Sequence, residues 1–220
     1  MPRAHQVTRF KFVNAYLVAE PDGLTLIDTL LPGSAKVIEA EAAKLGAPIV
    51  RILLTHGHGD HAGSVDALHT RLPQAEVLIS ARDARIVAGD KTLDPGEPGK
   101  LRGSWAKLAT APTRTLAPGD RVGSLEVHDA RGHSPGQLAF FDPRDRTLYC
   151  ADAYATLGGV RTTSGPRPPF PLPALATWNR TLALESARVL RRLDPARLAP
   201  GHGPVVENPA SAMDAAIAAG

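Results

Sequence analysis

The chain has 220 residues, 43% of them hydrophobic, and a formal net charge of +3, which suits a single domain over residues 1–220 with a substantial buried core. The near balance of charge, with no dense basic run and no interleaved aromatic patch, argues against a nucleic-acid partner, and no stretch of about twenty apolar residues is present to cross a membrane. The single cysteine, Cys150, excludes an internal disulfide and reads as a small apolar residue of a buried strand.

In chain order, residues 9–18 alternate apolar and polar side chains and predict a strand. The segment contains Asn14 and so lacks the uninterrupted apolar region of a signal peptide, which predicts a cytoplasmic protein. Residues 24–28 predict a second strand after the turn Pro21-Asp22-Gly23. A helix is expected over 34–45, ended by Gly46, with Val37, Ile38, Glu41 and Leu45 roughly periodic. Residues 49–54 form a short apolar strand, 62–71 a helix, 76–80 a strand and 81–88 a short helix; 90–112 reads as an irregular connection. Strand signals return at 125–129, 138–141 and 147–150. Residues 158–173 are again irregular, and 175–193 predict a helix with Leu182, Val189, Leu190 and Leu193 on one stripe. Alternation of strands and helices in both halves predicts a layered α/β domain.

The strand at 49–54 runs into THGHGDHAGS, which places His56, His58, Asp60 and His61 within six residues. Neutral imidazole and carboxylate suit Zn²⁺ and its first-row neighbours. Residues two apart in extended backbone point the same way, so His56 and His58 can converge on one ion, while Asp60 and His61 at the start of the next helix can face another. Further candidates stand in turns after strand-like segments: His133 in GHS, Asp152 in CAD and His202 in GHG. A His-rich surface loop would not need this recurrence. His5, His69 and His128 have no such setting and read as structural or exposed. GHSPG also fits the nucleophile elbow G-x-S-x-G with Ser134 as nucleophile, but the residue after it, Pro135, has no N–H to offer an oxyanion. Asn179-Arg180-Thr181 fits a glycosylation sequon, which without secretion carries little meaning.

THGHGDH, GHSPGQ, YCADA and PGHGP together resemble the ordered motifs of the metallo-β-lactamase superfamily, and LIDT with Asp28 resembles its first motif. The resemblance runs from about Asp28 to His202. It implies a four-layer αββα fold, two packed mixed β-sheets flanked by helices. It also implies a dinuclear site: His56, His58 and His133 on one metal, Asp60, His61 and His202 on the other, and Asp152 between them. Two divalent ions are expected, Zn²⁺ first, with iron or manganese suited to the same ligands. A hydroxide between ions about 3.5–4 Å apart would attack an ester, thioester or lactone carbonyl, with Asp60 orienting it and shuttling its proton. Asp28 reads equally as an acceptor behind a metal-binding histidine and as a turn cap.

Tyr154, two residues past Asp152, is a second catalytic candidate, as donor to a substrate carbonyl. Trp105, Phe170 and Trp178 are candidate apolar walls, and Arg161 or Arg167 a candidate anion contact. The ligand set is that of glyoxalase II and lactonases rather than of the best-known lactam-hydrolysing subgroup. Three other reactions share it in whole or part: an iron-dependent persulfide dioxygenase, a phosphodiesterase or nuclease, and a β-lactam hydrolase. The expected partner is a small-molecule substrate, and a homo-oligomer is compatible with this reading.

Overall fold

The computed structural model describes residues 3–166 and 168–220. Strands β1 (Ala4–Arg9), β2 (Val13–Glu20), β3 (Gly23–Ile27), β4 (Ile49–Leu53), β5 (Glu76–Ser80) and β6 (Arg114–Leu116) form one sheet in that order. Helices α1 (Ala35–Leu45), α2 (Val65–Arg71) and α3 (Ala81–Val87) lie between them in sequence. The second half supplies β7 (Arg121–Val122), β8 (Leu125–Asp129), β9 (Leu138–Asp142) and β10 (Thr147–Ala151), then the separate hairpin β11 (Tyr154–Ala155) and β12 (Arg161–Thr162). After α4 (Leu172–Leu175) and α5 (Arg180–Arg191) come β13 (Arg197–Pro200), β14 (Val206–Glu207) and α6 (Ala210–Ala218). The second sheet runs β14-β13-β10-β9-β8-β7.

Period-two alternation explains the layering. Tyr16, Val18, Ile27, Leu53 and Leu78 of the first sheet pack between the sheets with Leu125, Val127, Leu138, Phe140 and Tyr149 of the second. Their sequence neighbours Leu17, Leu26, Ile52, Val77 and Ile79 face outward, in a cluster with Ile38 of α1 and Leu68 of α2. On the far side Phe141, Leu148, Cys150 and Leu198 pack with Leu190 of α5 and Met213 of α6. The result is helix, sheet, sheet, helix, the four-layer arrangement the resemblance implies. Both sheets are mixed: β3, β4 and β5 pair in parallel, as do β10 and β13, while β1–β2 and β8–β9 are antiparallel. Among the described residues no helix is long and apolar enough to cross a membrane.

Three expected elements differ. The helix predicted over 62–71 begins only at Val65, so Asp60 and His61 stand in the turns before it rather than at its start. The strand predicted over residues 9–18 is broken into a hairpin, because Phe10 (φ 51°) and Lys11 (φ 68°) adopt left-handed backbone and Arg9 pairs with Val13. The helix predicted over 175–193 begins only at Arg180: Asn179 is extended and its side chain caps the Leu182 N–H at 3.1 Å. Its buried stripe is Ala183, Ser186, Ala187 and Leu190, while Val189 is 43% exposed.

Candidate metal centre

The carboxyl ends of the parallel strands deliver most of the candidate ligands to one edge of the sandwich, the usual location of sites in parallel-sheet proteins. His56 and His58 follow β4, Asp152 follows β10 and His202 follows β13. His133 comes from the β8–β9 turn, which is fixed to the first sheet by the Leu138 N–H donating to the Thr55 carbonyl at 2.9 Å. Ala151 stands in left-handed backbone (φ 48°) where the β10–β13 register shifts, and this turns Asp152 into the cluster. Gly201 passes so close that a Cβ there would lie 2.5 Å from Asp152 Oδ1 and 2.5 Å from His61 Cε1.

The seven side chains converge. His58 Nδ1 lies 3.2 Å from His56 Nε2 and 3.0 Å from His133 Nε2. Nitrogens bound tetrahedrally to one ion at about 2.0–2.1 Å stand roughly 3.3 Å apart, so this trio has the spacing of a ligand set. Asp152 sits centrally, 3.3 Å from His133 Nε2, 3.3 Å from His202 Nε2 and 3.5 Å from His61 Nε2. Asp60 Oδ2 is 3.4 Å from His202 Nε2 and 4.0 Å from His61 Nε2. Three groups have ligand atoms within 4.8 Å of one another: His56 with His58 and His133, His56 with His61 and Asp152, and Asp60 with His61 and His202.

Partners behind the rings fix which nitrogen faces inward. His61 Nδ1–H donates to Asp28 Oδ2 at 2.8 Å, and His58 Nε2–H to the Arg102 carbonyl at 3.0 Å. The Thr55 hydroxyl donates to Asp28 at 2.8 Å and therefore accepts from His56 Nδ1–H at 3.0 Å. The Thr177 hydroxyl likewise donates to the Pro173 carbonyl and accepts from His133 Nδ1–H, both at 3.0 Å. Four imidazoles thus turn their remaining ring nitrogen toward the cluster, and the buried Asp152 Oδ1 has no hydrogen-bond partner among the described residues. Imidazole nitrogens around an unpaired buried carboxylate oxygen fit a divalent first-row cation.

Charge state divides the cluster. Burial holds His56 and His58 below the ordinary histidine range and His133 down at about 3. At His61 burial acts the same way, but the Asp152, Asp28 and Asp60 carboxylates outweigh it and raise the ring to about 9. At His202 burial is again outweighed, by Asp152 and Asp60, and the ring rises to about 10. Burial would raise Asp60 and Asp152, but the neighbouring imidazoles keep both below the usual carboxylate range.

A cleft of about 580 Å³ opens over the cluster, with Asp60, Leu31, Phe12, Trp105, Phe170 and Leu172 in its lining. Trp105 packs edge-on to His58 (centroids 4.7 Å), and Phe170 lies 5.5 Å from the His202 ring and 5.1 Å from Phe12. Lys107 is the one Lys or Arg among the described residues of the lining.

The remaining candidates go elsewhere. Tyr154 is fully buried and its hydroxyl donates to the Ala187 carbonyl of α5 at 2.7 Å, so it is a packing residue on the far side of the second sheet rather than a donor to substrate. Trp178 and Arg161 do not line the cleft: they bond the Pro98 and Gly158 carbonyls, each at 2.9 Å. Arg167 lies outside the described residues. Ser134 is buried and donates to Asp83 Oδ2 at 2.7 Å, which occupies the hydroxyl of the competing serine motif. His5 bonds Glu41 and His128 lies near Glu126; neither they nor His69 join the cluster. Asp28 has the ring-orienting role. Phe12 and Asp83 are the residues the sequence reading missed.

A family model for the metallo-beta-lactamase superfamily matches residues 8–202. Uncharacterized protein YobT of Bacillus subtilis is 42% identical over 207 residues, 93% of this chain and 89% of that protein. Probable metallo-hydrolase YflN of the same organism is 30% identical over 223 residues, covering 88% of this chain and 81% of YflN. Among solved structures, TTHA1623 in a di-iron-bound form superposes with a TM-score of 0.69 at 27% identity, over 94% of this chain and 96% of that one.

Proposed function

The chain belongs to the metallo-β-lactamase superfamily and is a metal-dependent hydrolase, and we propose that it holds two divalent cations and cleaves a small, uncharged ester, thioester or lactone. The observation that carries this reading is the convergence of seven ligand-type side chains, four of them imidazoles whose outer nitrogens are already engaged. His56, His58 and His133 would hold one cation, Asp60, His61 and His202 the other, with Asp152 between them. When bound, the cations supply Lewis acidity and bring the pKa of water to about 7.

The chain's own groups do the rest. Asp60 lines the cleft and is held ionised by the nearby imidazoles, which suits it to accept a proton from the attacking water and pass it to the leaving group. Trp105 beside His58 and Phe170 beside His202 flank the cluster with apolar surface, suited to excluding water and seating a substrate's hydrocarbon part. Lys107 is the one Lys or Arg among the described residues of the lining, which favours an uncharged substrate over a polyanionic one.

Zn²⁺ is the proposed cation. The di-iron form of TTHA1623 supports iron as the alternative in the same ligand set. The deciding experiment is a metal-defined panel of lactones, thioesters, carboxylesters, β-lactams and phosphodiesters, with His58→Ala as control. Turnover of uncharged esters or lactones that chelation abolishes supports the reading. Fewer than one cation per chain, or turnover that survives both chelation and the control, sinks it.

A further inference from the structure

Asp83 is a fully buried carboxylate that the proposed chemistry does not use. It stands in the first turn of α3, three residues after Ser80, whose hydroxyl accepts the Asp83 N–H at 3.2 Å. In a capping box an acid at this position turns back to the cap residue's own N–H. Here the carboxylate accepts from two other loops. Oδ2 takes the Gly57 N–H at 3.0 Å and the Ser134 hydroxyl at 2.7 Å; Oδ1 takes the Gly136 N–H at 2.9 Å. Gly57 lies between His56 and His58, and Ser134 follows His133. The approach is close enough that a Cβ on Gly136 would stand 2.6 Å from Asp83 Oδ1.

We infer that Asp83 is a positioning residue that sets the spacing of His56, His58 and His133, so that it tunes the first cation site and not the second; this rests on the two-cation reading above. One oxygen shared by both loops couples their separation to a single atom. The guanidinium of the adjacent Arg82 is committed to Glu97 at 2.7 Å, and the carboxylate's hydrogen bonds come from neutral donors. Burial raises Asp83 to about 6 against those hydrogen bonds, which marks it as a costly group to keep inside if its only task were capping a seven-residue helix. Groups behind metal ligands typically change metal affinity roughly 10- to 100-fold when replaced.

The test separates the two sites. Metal-free chains carrying His202→Ala (first trio intact) or His58→Ala (second group intact) are titrated with Zn²⁺ against a chromophoric chelator, each with and without Asp83→Asn. The expected result is a roughly 10- to 100-fold loss of affinity in the His202→Ala background and less than about threefold in the His58→Ala background. Equal losses in both backgrounds, or none in either, overturn the inference. Thermal melts of the same metal-free chains show whether each variant folds. If Asp83→Asn does not, Ser134→Ala removes one link only and is expected to give a smaller loss with the same site preference; no preference overturns the inference. A wild-type chain that takes up a single cation tightly refutes the two-cation reading instead, an outcome read before any variant is compared.

Discussion

The two halves of the proposed metal centre are built on different physics. His56, His58 and His133 are buried, each backed by an uncharged partner (the Thr55 hydroxyl, the Arg102 carbonyl and the Thr177 hydroxyl), and burial keeps the rings neutral. Asp60, His61 and His202 stand among carboxylates, which make the two rings basic, and Asp60 has a side chain 36% exposed to the cleft. His202 Nδ1 has no hydrogen-bond partner among the described residues. One half is organised as a neutral, closed ligand set; the other is an ion-pair network open to substrate. The same residue type has opposite charge preference within a few ångströms because its neighbours differ, not because its burial does.

Replacing a ring of the closed half is expected to have the largest effect. His58→Ala should lower kcat/KM by at least about 10³-fold, some 4 kcal/mol of transition-state stabilisation, with loss of bound cation measured by elemental analysis. His202→Ala should spare the first cation. A variant pair that lost both cations equally would break the division between the halves.

Asp28→Asn comes next, with metal affinity falling roughly 10- to 100-fold in both halves, because Asp28 serves His61 directly and His56 through Thr55. Competition titration checks it. An effect confined to one half would show that the Thr55 relay does not orient His56.

The pH dependence of the chelated protein sharpens the comparison further. The raised values of His61 and His202 give stability that is complete below the unfolded histidine pKa of about 6.5 and lost as pH climbs through about 9 and 10. The lowered value of His133 gives stability present above about 6.5 and lost as pH falls toward about 3. Thermal melts from pH 5 to 10 should therefore show Tm declining on both sides of a maximum. A flat alkaline limb between pH 7 and 9 would contradict the ion-pair picture of the open half.

The smallest effect is expected at Tyr154. Tyr154→Phe removes one buried hydrogen bond worth about 1 kcal/mol, so Tm drops by about 2–4 °C while kcat/KM stays within about twofold. A loss of tenfold or more would return Tyr154 to the chemistry.

Much of this cluster was legible in the sequence because its members follow short apolar strands and sit in turns whose motifs recur in order. His56 and His58 were read from period-two geometry, Asp60 and His61 from their crowding beside them, and the partners His133, Asp152 and His202 from the recurrence. Tyr154 was misread because its distance from Asp152 in sequence says nothing of the β11 backbone, which sends the ring toward α5. Phe12 was hidden in an alternating run that reads as continuous strand, although two left-handed residues fold it into a hairpin. Asp83 was concealed by a stronger local signal, since Ser80 followed three residues later by an acid reads simply as the start of a helix.

The hairpin tip at Phe12 has one more consequence, for the order in which the molecule is made. Val13 bridges to His202, the Gly203 N–H donates to the Phe12 carbonyl at 3.1 Å, and the Asn14 N–H donates to the Gly201 carbonyl at 2.9 Å. The Asn14 side chain adds bonds to the Pro200 and Gly203 carbonyls, 186 and 189 residues away in sequence. Contacts of such separation close late, after the loop entropy between them has been overcome. On a chain emerging from the ribosome, His56, His58 and His133 can meet long before His202 has a strand to lean on. The open half of the centre thus leans on contacts between distant parts of the chain, which would tie the proposed chemistry to completed folding.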